Sequence, residues 1–339
     1  MTGFLGSELP IVGAPMAGGP SSPDLVRAVG DAGGLPFVAG GYTTPAALAD
    51  AISAARSGGG PFGVNLFAPN VIAVDRAAFD RYTDSLRPEA ERVGVELGVE
   101  PIEDDDAWAA KIDLLLADPV PIVSVTFGLP APSEVAALER AGTRVLATVT
   151  SVAEARTAVA VGASGLIAQG TEAGGHSARH DPRAAARPIG AADLVAAVAA
   201  QTRVPVIAAG GVAGPADVAR LIGAGAAAVA VGTLLLRTVE SGASATHKNA
   251  LADPRFAATV LTHAFTGRPA RALRNRFVER HGAEAPLGYP ALHHLTRPLR
   301  QAAASAGDAE SLHLWAGTGY RSAAAEPAGD VVRRLAAGL

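Results

Sequence analysis

The sequence predicts an α/β chain folded as a (β/α)8 TIM barrel, with a helical insertion or cap after the eighth strand. Three observations predict it. Eight short apolar runs recur, at 11–16, 35–41, 62–68, 121–128, 144–150, 165–170, 204–211 and 227–233. Continuous apolar runs of this length suit strands buried on both faces, as in a parallel sheet. Ala-rich amphipathic stretches separate the runs, and strand, helix, strand at this spacing demands right-handed crossovers. No Gly-x-Gly-x-x-Gly follows the first run, so an open doubly wound sheet ranks second.

The helical stretches begin at Pro23, Pro45, Pro132, Val152, Ala191 and Pro215. Proline suits a first helical turn, where its missing N–H has no intrahelical partner. Thr44, Ser133, Ser151 and Gly214 fall at N-cap or first-turn positions. Two segments break the alternation. Residues 71–118 carry the run Glu103-Asp104-Asp105-Asp106 and read as surface helices between the third and fourth strands, the acidic run being solvated. Residues 237–310 are too long for an ordinary connection and read as a helical cap over the barrel mouth. That leaves 1–236 as the barrel and 311–339 as a C-terminal segment returning to it.

Composition narrows the function classes. Of 339 residues, 49% are hydrophobic and 18% charged, enough for a large core. Twenty-eight basic against 32 acidic residues give a net charge of -4 without a basic block, so neither nucleic acid nor an anionic membrane is an expected partner. The absence of Cys excludes disulfides, thiolate metal sites, iron–sulfur clusters and a cysteine nucleophile. Mean hydropathy is +0.26, yet no uninterrupted apolar run of about 18 residues occurs. Residues 1–10 lack the basic and apolar pattern of a leader. A cytoplasmic monomer or homodimer is expected.

In a barrel, the loops after the strands form the site. The first strand ends in Pro15-Met16-Ala17-Gly18, and the third and fourth carry Asn65 and Ser124. The sixth ends in Gln169-Gly170-Thr171-Glu172-Ala173-Gly174-Gly175-His176. The seventh ends in Gly210-Gly211 and the eighth in Ala230-Val231-Gly232-Thr233. The two last corners match the usual phosphate position of this fold, where backbone N–H groups hold the anion; ordinary tight turns are the plainer alternative. Asn65 and Gln169 are amides on apolar strands, and a buried amide left unpaired costs about 1–3 kcal/mol. A planar heterocycle or neighbouring backbone would satisfy them. His176 is the histidine at a strand-end loop, placed to exchange a proton near neutral pH. Without Cys, thiolate ligands are excluded, and no metal is expected.

Taken in order, these motifs, with Trp315-Ala316-Gly317-Thr318-Gly319-Tyr320 near the C-terminus, resemble the nitronate monooxygenase (2-nitropropane dioxygenase) family over nearly the whole chain. The resemblance implies an FMN-dependent TIM-barrel oxidoreductase that uses O2 to convert alkyl nitronates, with nitroalkanes as a second substrate class, to a carbonyl compound and nitrite. It implies FMN contacts from Pro15, Met16, Ala17, Gly18, Asn65, Ser124, Gln169, Gly174, Gly175, Gly210, Gly211, Ala230, Val231, Gly232 and Thr233. His176 falls at the family's catalytic histidine. One departure is that no basic residue adjoins Ser124-Val125-Thr126-Phe127 in sequence.

Three other functions stay open. An NAD(P)H-dependent quinone or enoyl-thioester reductase would share the flavin corners. A flavin-free phosphate-ligand isomerase or synthase would need an acid–base carboxylate or Lys at a strand end, and Glu172 is the nearby candidate. A non-catalytic flavin-binding module would need no base at all.

Overall fold

The computed structural model describes residues 3–69, 72–184 and 188–339. Met1 and Val71, the first residues of the N-terminal stretch and of the expected insertion, lie outside the described residues. The chain runs β1 (Ile11–Gly13), α1 (Pro23–Asp31), β2 (Phe37–Ala39), α2 (Pro45–Arg56), β3 (Gly63–Phe67), α3 (Arg76–Val93), α4 (Trp108–Ala117) and β4 (Ile122–Thr126). It continues α5 (Pro132–Arg140), β5 (Arg144–Val149), α6 (Val152–Ala160), β6 (Gly165–Gln169), β7 (Gly175–His176), α7 (Ala191–Ala199), β8 (Val206–Ala209), α8 (Pro215–Gly223) and β9 (Ala228–Val231). Then come α9 (Ala245–Ala250), β10 (Thr259–Thr262), β11 (Ala270–Leu273), α10 (Arg276–His281), α11 (Ala291–Ala306) and α12 (Ala328–Ala336).

Eight parallel strands pair in the order β1-β9-β8-β6-β5-β4-β3-β2. A parallel bridge between Val12 and Leu35 closes the ring, with Gly13 N–H donating to Leu35 O at 2.9 Å. All eight expected strands are present, so the TIM barrel stands. Successive strand residues point to opposite faces. Val12, Phe37, Ile122, Leu146, Ile167, Ile207 and Ala228 form one buried cluster, while Ile11, Val123, Val125, Val145 and Val229 pack with the surrounding helices in another. A Cβ on Gly63 would lie 2.2 Å from the Phe37 ring, so the bare backbone there makes room for an aromatic plug. Toward the C-terminal ends the first set turns polar, through Asn65, Ser124, Thr126, Thr148 and Gln169. That change from apolar to polar marks where the core stops and the site begins.

Caps form where sequence placed them. Thr44 and Ser151 accept from Ala47 N and Glu154 N; Ser133 sits in a first turn behind the N-cap Ala131. Helix α12 packs against α1 and α8, so the chain's last helix completes the outer ring beside its first.

The segment after β9 differs from the helical expectation in one respect. It carries α9, α10 and α11 but also the antiparallel pair β10–β11, and β11 pairs with β7 in the register Ala270–His176 and Arg271–Gly175. A second apolar cluster joins this segment to α3 through Phe79, Tyr82, Leu86, Phe265, Phe277, Leu292, Leu295 and Leu299. The insertion and the cap therefore share one core.

Candidate active site

The strand ends open into a cavity of about 880 Å³, within the roughly 300–1,000 Å³ usual for ligand sites. Every residue in the sequence-derived site lines it except Ser124. Ser124 is fully buried and its Oγ accepts from Asn65 Nδ2 at 2.9 Å. Ser124 is the register partner of Asn65 on the neighbouring strand, and it supports that amide instead of reaching the wall.

β8 is followed by Gly210 and Gly211 at φ +115° and +73°, a region open to glycine and strained for other residues. The N–H groups of Gly211, Gly232 and Thr233 donate to nothing among the described residues. Free backbone donors at strand ends form an anion cradle of the kind that suits a phosphate group. Asn65 Nδ2 donates to Ser124 O (3.3 Å), Ser124 Oγ and Thr126 Oγ1 (3.0 Å). A carbonyl can only accept, so Nδ2 must face it and Oδ1 is left for the cavity, where it can take an N–H of a heterocycle. Gln169 behaves differently. Its Nε2 donates to His176 O at 3.1 Å and its Oε1 accepts from Ala178 N at 2.8 Å, so its amide clamps the loop that presents His176.

His176 Nε2 lies 2.9 Å from Thr266 Oγ1, which is 3.5 Å from Arg268 O. If the hydroxyl donates to that carbonyl, it accepts from Nε2–H and leaves the Nδ1 lone pair as the basic atom. Nδ1 has no partner among the described residues. Phe127, Trp315 and Tyr289 surround the imidazole at centroid distances of 5.6, 5.3 and 6.0 Å. Burial in this apolar box, reinforced by Arg268 and Arg300, pushes the imidazole down to about 3, so at ordinary pH the ring is neutral and its Nδ1 lone pair is unprotonated.

Tertiary structure adds groups that sequence position hid. Arg268 Cζ stands 4.1 Å from the Phe127 ring centroid and the guanidinium donates to Ser177 O and Arg179 O. A basic group thus does adjoin the β4 end; it arrives from the cap. Helix α11 places His293, Arg297, Arg300 and Ala304 on the cavity wall, a spacing of four, three and four that puts them on one helix face. That periodicity was the available signal. The acidic run is also not wholly solvated: Asp104 Oδ2 meets His294 Nε2 at 2.5 Å, Asp106 Oδ2 meets Lys111 Nζ at 2.8 Å, and both acids line the cavity. Glu172 instead accepts from Ala191 N at 3.1 Å and caps α7, which weakens the isomerase alternative. Among the described residues, the non-glycine positions with positive φ are Tyr42, Asp106, Ala107 and Phe127, and all four line the cavity. Backbone strain concentrated in one place is a mark of a functional site.

The model of a family described as nitronate monooxygenase matches residues 1–338. A probable nitronate monooxygenase of Staphylococcus aureus (strain MSSA476) is 34% identical over 340 residues, covering 99% of this chain and 95% of its own. A crystal structure of nitroalkane oxidase from Streptomyces ansochromogenes superposes with a TM-score of 0.94 at 48% identity, covering 98% of this chain and 96% of that one. FabK from Thermotoga maritima gives 0.76 at 26% identity, covering 98% and 93%. Fold, cradle, histidine loop and whole-length similarity agree: this chain belongs to the nitronate monooxygenase family of flavin-dependent oxidoreductases.

Proposed function

We propose that the protein binds FMN and uses O2 to oxidise alkyl nitronates, and nitroalkanes after deprotonation, to a carbonyl compound and nitrite. The observation that carries this reading is the joint presence, in one cavity, of the unpaired donors at Gly211, Gly232 and Thr233 and a neutral His176. Gly174, Gly175, Gly210 and the Pro15-Met16-Ala17-Gly18 turn would lie along the cofactor, with Ala230 and Val231 beneath it. The bound flavin supplies electron acceptance and oxygen chemistry; the chain supplies position and electrostatics. Thr266 fixes the tautomer of His176, and Nδ1 takes the α-proton of a neutral nitroalkane. Phe127, Tyr289 and Trp315 keep water from that proton. For a preformed nitronate no proton need move, and the imidazole serves to orient the substrate.

The test is anaerobic. Purified protein should release FMN identifiable by mass, and its flavin absorbance should bleach with ethyl nitronate. Bleaching by NADH alone would replace the proposal with the reductase reading. His176→Asn should retain FMN but lose about 10²–10⁴-fold in kcat with neutral nitroethane, and much less with nitronate. Equal loss with both would remove the proton-transfer role.

A further inference from the structure

Arg300 is 8% exposed. Its Nε donates to Thr296 Oγ1 at 3.1 Å and its Nη2 to His293 O at 2.7 Å, so the planar group is held in one orientation. Nη1 has no partner among the described residues, although the residue lines the same cavity as His176. No carboxylate lies within ion-pair distance of it among the described residues. A buried cation without a counter-charge is costly, and the cost is relieved by an anion delivered from the cavity. His293 is held neutral beside it by burial, so it neither competes for nor supplies a counter-charge. Tyr42 stacks on that imidazole at a centroid distance of 4.1 Å, which fixes the second partner of the guanidinium.

We propose that Arg300 is the anion-selecting residue of this site, and that its Nη1 holds the oxygens of the nitronate. This rests on the nitronate reading above and deepens it. A neutral nitroalkane and its nitronate have nearly the same shape, so shape cannot separate them; a fixed, unpaired guanidinium can, because charge-assisted hydrogen bonds are about twice as strong as neutral ones.

The test titrates the FMN-loaded protein with sodium nitrate, a planar oxyanion that cannot react, by calorimetry at constant ionic strength. Wild type should bind nitrate saturably. Arg300→Met and Arg300→Gln should each weaken nitrate at least tenfold, and Arg300→Lys by less than about threefold. The KM for ethyl nitronate should rise in the same order, with kcat moving less. Gln keeps hydrogen-bonding capacity, so it carries the comparison if the Met variant does not fold. Absence of saturable nitrate binding to wild type, unchanged affinity in the Gln variant, or equal losses in Lys and Gln would each overturn the proposal. If wild type binds nitrate through Arg300 but does not oxidise nitronates, the proposed reaction falls and the anion site stands.

Discussion

Lys111 is 1% exposed, an amine side chain taken inside the fold. Its Nζ meets Asp106 Oδ2 and Gly40 O, each at 2.8 Å, and Asp106 Oδ1 accepts from Tyr42 N at 3.0 Å. Three contacts thus pin Tyr42 at a φ of +63°, a conformation that costs a non-glycine residue on the order of 1–3 kcal/mol. Removing one partner of a buried pair leaves the other charge uncompensated. Lys111→Met should therefore destabilise by about 3–5 kcal/mol in chemical denaturation, and adding Asp106→Asn should recover part of the loss. A double variant no better than the single would refute the pairing argument. Sequence gave no sign of this. A lysine within Trp108-Ala109-Ala110-Lys111-Ile112 reads as solvent-facing. Asn65, Gln169 and His176 were legible because each interrupts an apolar or glycine-rich run, where a polar group demands an explanation. Arg268 and Arg300 were not, since long charged side chains in a polar segment carry no such demand until the fold turns them inward.

At the scale of elements, the barrel strands could be read because burial on both faces leaves a continuous apolar signature. The β10–β11 pair could not. Thr259-Val260-Leu261-Thr262 is short and partly exposed, and its partner owes its shape to pairing with β7. The C-terminal segment shows why glycine recurs there. Gly317 N donates to Thr233 Oγ1 at 3.0 Å, and a Cβ on Gly319 would lie 2.4 Å from Val212 O. Backbone meets backbone at this seam. Gly319→Ala should cost about 1–3 kcal/mol by overpacking and reduce the flavin retained on purification, since Val212 follows the cradle. Gly223 closes α8 with nothing within 4 Å of an added Cβ. Gly223→Ala should stabilise by about 0.5–1 kcal/mol, and thermal melts of the two variants should move in opposite directions.

At the scale of the whole molecule, six imidazoles lowered by burial set the response to acid, His263 and His281 among them. Burial pushes His176 down to about 3 and His247 to about 4, and holds His293 and His313 well below the ordinary range. Each is neutral in the fold and protonates more readily once unfolded. Below about pH 6.5 the unfolded chain therefore binds more protons than the folded one, and stability falls as pH falls toward the folded values. The melting temperature should drop between pH 7.5 and 5.5, and His313→Gln should flatten that slope. A melting temperature independent of pH across this interval would contradict the neutral, buried state of these rings. The size and direction of the effect depend on burial that no composition reveals, because the same count of histidines on a surface would leave stability nearly flat.

The pairing of β7 with β11 has a consequence for biosynthesis. Thr266, Arg268, Ala270 and Trp315 all follow Val231, the end of the last barrel strand. A nascent chain can finish every stave of the barrel before these groups around His176 leave the ribosome. The surroundings of the imidazole are thus completed by the part of the chain made last.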